Sequence, residues 1–300
     1  MTPETNARVA DRLREAATLL EQQDANPYRV RAYRRAADTV AGLDRDLAAL
    51  VRAEGRAGLT ALPGVGDSIA AAIEEMLRTG HWSQLQRLRG SLDPERVFTS
   101  IPGVGPNLAR RLHDGLHVDT LEALEAAAHD GRLAAVPGIG ARRAAMIRGA
   151  LAEMLGRPVG HGPDAPSEEP PVAALLDADA QYRADADADR LPRIAPRRFN
   201  PSGEAWLPVL HTDREGWHFT ALYSNSARAH KLERTHDWVV LYFHRDDEPE
   251  GQRTVVTETR GPLAGQRVVR GREADCRAHY ARAAAAPGES GALHRAAGSY

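Results

Sequence analysis

Lysine is all but absent from this chain of 300 residues: of its 39 basic side chains only Lys231 is lysine, and the other 38 are arginine. Chemistry that needs a neutral primary amine therefore has one place to occur, because a guanidinium stays protonated at any accessible pH. Cysteine is equally scarce. Cys276 stands alone, which excludes an intramolecular disulfide and a cysteine-rich zinc site and fits a reducing cytoplasm. No charged-then-apolar leader opens the sequence, and no run of about 18 apolar residues could span a bilayer. The expected location is cytoplasmic, with no membrane partner. A large charge of one sign is missing too, since 41 acidic against 39 basic residues leave −2. That excludes a grossly cationic nucleic-acid-coating protein. Aromatic residues make up only 5% of the chain.

What is present is 42% hydrophobic and 27% charged residues, the balance of a soluble globular protein with room for two cored halves. The halves differ in texture. Val9, Leu13, Ala16, Leu19 and Leu20 mark one helical stripe, and Leu43, Leu47, Leu50 and Val51 another, so residues 1–155 read as all-helical. The stretch 156–171 is rich in Pro and Gly without apolar period and reads as a linker. After a helix that begins near Val172, three β-branched or aromatic runs follow: Trp217–Ser224, Trp238–Phe243 and Thr254–Thr259. The fold class expected is α+β: a helical N-terminal half, then a small antiparallel β-rich domain with flanking helices.

Three segments repeat one pattern. They are Leu62-Pro63-Gly64-Val65-Gly66, Ile101-Pro102-Gly103-Val104-Gly105 and Val136-Pro137-Gly138-Ile139-Gly140, with first glycines 39 and 35 residues apart. In each, an aliphatic residue anchors a helix end, Pro stops the helix, and Gly-x-Gly turns the backbone into the next helix. Such a turn leaves backbone N–H groups pointing outward at a helix N-terminus, where the macrodipole gathers positive charge. An anionic oxygen fits there, and nucleic-acid phosphate is a common source of one. Arg110 and Arg111 open the helix after the second turn, and Arg142 and Arg143 the helix after the third. The first has Asp67 and Ser68 instead. Backbone donors read no base, so binding through Gly64, Val65, Gly66, Gly103, Val104, Gly105, Gly138, Ile139 and Gly140 would be sequence-independent and salt-sensitive.

The turns resemble helix-hairpin-helix motifs, and residues 5–155 resemble the N-terminal region of bacterial family X DNA polymerases. The stretches that carry the resemblance are Asn26–Arg35, Leu59–Gly80, the run from Ile101, and Leu121–Gly140. It implies a lyase-like helical domain with the first hairpin over 1–90 and a fingers-like domain with the other two over 91–155. It also implies a monovalent cation held by backbone carbonyls at some hairpins, the cofactor that would be expected here. Family members with deoxyribose-phosphate lyase activity use a lysine on the helix after the first hairpin as Schiff-base nucleophile. That position is Ala72 in this chain. A 5′-phosphate pocket could persist around Arg29, Arg31, Tyr33, Arg34 and Arg35; a solvated basic face is the alternative. Paired carboxylates of a polymerase palm are not found: Asp177-Ala178-Asp179 has no glycine-rich turn before it.

The resemblance does not extend to residues 172–300. Polar groups cluster between 195 and 240, where His211, Asp213 and His218 are weak candidates for catalysis, and no metal is assigned to them. Arg197, Arg198 and Phe199, and separately Arg267, Arg270 and Arg272, could form phosphate-and-stacking surfaces or be ordinary exposed arginines. The expectation is a DNA-binding protein of repair or DNA maintenance, nucleoid-associated, without polymerase or lyase catalysis. Its partners would be duplex or gapped DNA and a repair or replication protein. The rival is a DNA-directed nuclease or nucleotide-processing enzyme with its active site in the C-terminal domain.

Overall fold

The structure is a computed structural model that describes residues 4–155, 168–245 and 250–285. Most of the expected linker, residues 156–167, lies outside the described residues. The helical half runs α1 (Glu4–Gln22), α2 (Pro27–Ala41), α3 (Leu47–Thr60), α4 (Asp67–Thr79), α5 (Ser83–Leu88), α6 (Pro94–Phe98), α7 (Pro106–Leu116), α8 (Leu121–His129) and α9 (Ala141–Met154). The stripe read from the sequence is what α1 buries: Val9, Leu13, Ala16 and Leu20 pack into a core with Val30, Tyr33 and Ala37 of α2 and Ile69 and Ile73 of α4. Local caps hold the ends. Asn26 accepts from the Tyr28 N–H ahead of Pro27, Asp46 from Ala49 and Thr120 from Ala123. A second core, built on Phe98, Ile101, Leu112, Leu124 and Ile147, joins α6 to α9.

The second half opens with α10 (Val172–Asp187) and continues as β1 (Arg193–Ile194), β2 (Leu207–Arg214), β3 (Trp217–Tyr223), α11 (Ala227–Lys231), β4 (Val239–His244), β5 (Gly251–Thr257), β6 (Arg267–Val269) and α12 (Glu273–Ala285). The strands form one antiparallel meander in chain order. Three strands fall where alternation places them. β2 is an addition, since Pro208 and the polar run His211–Arg214 hide its period.

The register sorts side chains onto two faces. On one, Phe219 faces Phe243, Ala221 faces Leu241, and Tyr223 and Val255 flank Val239. This apolar face is covered by α10 and Cys276 of α12. Tyr182 of α10, fully buried, donates its O–H to the Pro208 carbonyl at 3.0 Å and accepts the Tyr223 N–H at 2.8 Å. The other face carries His211, Asp213, His218, Thr220, Tyr242, His244, Gln252 and Thr254. It meets the helical half.

Arginines and acids read from sequence as surface chemistry are structural here. Asp179, fully buried on α10, receives Nη2 of Arg267 at 2.5 Å, and Arg267 also holds Asp237 at 2.7 Å. Arg270 pairs with Glu258, and Arg272 with Asp275 and the Pro170 carbonyl. The expected phosphate surface at 267–272 is therefore spent on internal contacts. Removing one partner of a buried pair strands the other charge. Asp179→Ala is expected to destabilise the chain by about 3 kcal/mol, read as a lowered urea midpoint, whereas exposed Asp11→Ala in α1 stays within roughly 0.5 kcal/mol.

Candidate nucleic-acid interface

Each hairpin solves the same local problem. Gly64, Gly103 and Gly138 take φ of +76°, +81° and +80°, the left-handed conformation that glycine supplies at least cost. Val65, Val104 and Ile139 are buried, and their N–H groups return to the carbonyls of Leu62, Ile101 and Val136 at 3.0–3.1 Å. These three residues therefore anchor the turn and spend their N–H groups in doing so, a correction to counting them among the phosphate donors.

The unspent N–H groups lie one residue further on. Gly66, Gly105 and Gly140 cap α4, α7 and α9 with no side-chain cap. The N–H groups of Gly66, Asp67 and Ser68, of Gly105 and Asn107, and of Gly140, Ala141 and Arg142 have no acceptor among the described residues. These cap glycines are extended, with φ between −82° and −84°, a conformation open to any residue. A Cβ added at Gly105 or Gly140 would meet nothing within 4 Å. Neither backbone strain nor internal packing requires glycine at these two positions.

The second and third hairpins brace each other. A Cβ on Gly138 would fall 2.5 Å from Nη1 of Arg111, and one on Gly103 2.8 Å from Cε of Met146. Arg111 and Met146 each lie eight residues after the glycine of their own turn, so equivalent positions cover opposite turns. Arg111, expected at the second turn, thus serves the third, where it donates to the Pro137 carbonyl at 3.1 Å. Arg143 donates to the Gly138 carbonyl at 3.2 Å. Arg110 pairs with Glu95 at 3.3 Å, and Arg142 is exposed with no side-chain partner among the described residues. The first hairpin stands apart from this pair. Arg35 lies against Gly64, and Thr39 donates to the Pro63 carbonyl at 2.8 Å.

These contacts test the implied monovalent cation. At the third turn two guanidinium groups already hold the Pro137 and Gly138 carbonyls, which disfavours a further cation, and at the first turn the Pro63 carbonyl receives the Thr39 hydroxyl. Among the described residues the Pro102 and Gly103 carbonyls of the second turn receive no donor and are the ones left open to such an ion.

The five residues expected as a 5′-phosphate pocket do not converge. Tyr33 is buried and donates to Gln84 at 2.8 Å; Arg34 pairs with Glu21; Arg31 lies outward over the exposed Tyr28 ring; Arg35 covers the first turn. Arg29 points inward with Nε and Nη2 buried and unpartnered. Ala72 does line a cleft, but the charged groups around it are Glu75, Glu122 and Glu250. Burial, then the Glu122 charge, pushes the Glu75 carboxyl up to about 8.

His211, Asp213 and His218 lie at the junction of the halves. His211 is neighboured by Thr220 at 3.0 Å and, at 3.1 Å, by Gln23 in the turn after α1. Asp213 holds His218 at 2.6 Å and accepts from Asn26 at 2.7 Å. Burial, with Arg29 and Arg87 nearby, takes the His211 pKa down to about 3, so its ring is neutral at physiological pH. Among the described residues no three His, Cys, Asp or Glu side chains are placed to hold a metal ion.

A family model described as a helix-hairpin-helix domain matches residues 4–82, and one described as a SAM-like helix-hairpin-helix tandem matches 95–153. The N-terminal half carries helix-hairpin-helix domains. The paired second and third turns are that tandem. The chain is also 27% identical over 142 residues to the DNA polymerase/3'-5' exonuclease PolX of Bacillus subtilis (strain 168), covering 47% of this chain. The chain spans only 24% of that relative's length. The resemblance to family X polymerases thus holds for the helical half. No helix among the described residues is long and apolar enough to cross a membrane.

Two titrations follow from the burial at this junction. An unfolded chain releases the Glu75 proton near the ordinary carboxyl value of 4.5 while the folded chain keeps it to about 8, so stability falls as pH rises between them. Glu75→Gln is expected to raise the melting temperature at pH 8 and leave it unchanged at pH 4. His211 acts on the acid side. Its folded pKa of about 3 lies below the ordinary imidazole value of 6.5, so stability is lost as pH falls through that window, and His211→Gln flattens this limb of the melting curve.

Proposed function

We propose that this chain binds DNA without reading its sequence, gripping backbone phosphates with helix N-termini at its three hairpins. It would act in DNA repair or maintenance without polymerase or lyase catalysis. The observation that carries the reading is the capping glycines. Gly105 and Gly140 are glycine where neither conformation nor packing asks for it, and each stands beside unspent N–H groups. Close approach of a phosphate accounts for both features, because a methyl group would hold the ligand away from the donors. Arg111, Arg142 and Arg143 add positive charge at the third turn, and the helix-hairpin-helix matches point to DNA as partner. The reading without lyase chemistry is supported by Ala72 at the nucleophile's position and by the acidic groups around it. The polymerase and exonuclease of the relative's name belong to a protein four times longer than the matched stretch.

Because alanine fits both sites, the test separates binding from folding. Gly105→Ala and Gly140→Ala should each lower the melting temperature by only a few degrees, the cost of alanine for glycine at an N-cap, and weaken duplex binding by roughly tenfold, about 1.4 kcal/mol. Affinity should fall with salt and be the same for unrelated sequences. Wild-type affinity in the double variant would overturn the proposal.

A further inference from the structure

A cleft lies where the two helical units and the sheet meet. Its floor is the sheet face at Leu207, Leu222, Val240 and Tyr242, and its walls are the chain at Leu92 and Pro94 on one side and at Ile194 and Pro196 on the other. Its polar groups are unevenly spent. Arg87, only 3% exposed, gives Nη2 to both oxygens of Glu250 at 2.6 and 2.7 Å and lies 3.6 Å over the Tyr242 ring. Its Nε and Nη1 are buried with no partner. Ser226, also buried, accepts from the Ala229 N–H and from Ser224, leaving its own proton unspent.

The acceptor beside them is full. Asp119 takes His113 Nε2 at 2.9 Å, the Tyr242 O–H at 2.5 Å and Gln252 Nε2 at 3.3 Å. Burial would raise its pKa, but the His113 and Tyr242 contacts hold it below the usual carboxylate value. With Nε2 turned to Asp119, the buried Nδ1 of His113 has no hydrogen-bond partner, and Asp114 at 3.9 Å is too far to supply one. An unpaired buried polar group is costly. The cleft therefore offers donors at Arg87 and Ser226 and a separate group at His113, over an apolar floor. A bare anion would use the donors and waste the floor. A nucleobase, flat and edged with both acceptors and donors, uses all three.

Arg198 also lines the cleft and pairs with Glu95 at 2.7 Å, and its neighbour in the chain, Arg197, outside that lining, is exposed with no side-chain partner among the described residues. Phe199, 47% exposed, lies 4.4 Å from the His230 ring. We propose that this cleft binds a nucleotide, with its base inside between the Tyr242 floor and the 194–196 wall and its phosphate at Arg197. The nucleotide could be free or the unpaired terminal residue of a DNA strand.

Calorimetry on the full chain tests this with the four deoxynucleoside monophosphates and with deoxyribose 5-phosphate. The expected result is saturable binding of at least one nucleotide, one per chain, with the sugar phosphate at least twentyfold weaker. Arg197→Ala should weaken it fivefold or more, and Ile194→Trp, which fills the cleft from a half-exposed wall, should abolish it. Arg87→Met should also abolish it; if that variant unfolds, the Ile194 and Arg197 variants still decide. No binding by any nucleotide, equal binding of the sugar phosphate, or wild-type affinity in Ile194→Trp overturns the proposal. Competition between nucleotide and a hairpin DNA with one unpaired 3′ residue assigns the site to a strand end; binding without competition assigns it to free nucleotide. Gly105→Ala should leave nucleotide binding intact, so failure of the hairpin reading and failure of this one are told apart.

Discussion

The arrangement of the molecule depends on a sheet face that is polar and yet covered. An apolar face can be buried against almost any apolar partner, whereas a face bearing His211, Asp213, Tyr242 and Gln252 must find a matching group for each. The helical half supplies them one by one: Gln23 for His211, Asn26 for Asp213, and Asp119 for both Tyr242 and Gln252. Such an interface fixes position more sharply than hydrophobic contact does, because a small slip breaks several hydrogen bonds at once. It also engages both helical units, through α5 and the turn after α1 on one side and the loop after α7 on the other. Gly90, where a Cβ would fall 2.5 Å from the Ala195 carbonyl, shows how close the chains run.

Against that fixed frame the hairpins use glycine in two ways. The first glycine of each turn is there for the chain's own geometry, since φ is positive. The second is in ordinary extended backbone and leaves an opening at a helix N-terminus. The two roles alternate within five residues, so one short motif both makes the turn and keeps its outer edge bare.

The helical half was legible because its signals are local. A 3.6-residue stripe, capping residues and Pro-Gly turns each act within a few residues, and the repeat tied them together. Strands β3 to β5 were legible by alternation. What the sequence concealed is long-range. β2 alternates a buried face with one buried only by docking, so its polar residues look solvent-facing in one dimension. The same feature made His211, Asp213 and His218 resemble a reactive cluster, when each is held by a partner across the sheet or across the junction. Arg111 was placed at the wrong turn for a related reason: it opens the helix after the second hairpin, but a helix carries its side chains to the next element. Arg267 and Asp179, 88 residues apart, could not be paired from composition at all.

The cross-bracing of the tandem hairpins bears on how this half can vary. Since Arg111 reaches the third turn and Met146 the second, the distance between the two turns is set by where those side chains leave α7 and α9. One residue inserted between Gly103 and Arg111 would swing the brace about 100° around its helix and uncouple the pair. The connecting chain from His117 to Ala135 is held as well, since it carries α8 with Leu124 in the same core and Asp119 against the sheet. The tandem is a ruler whose graduations lie inside its helices.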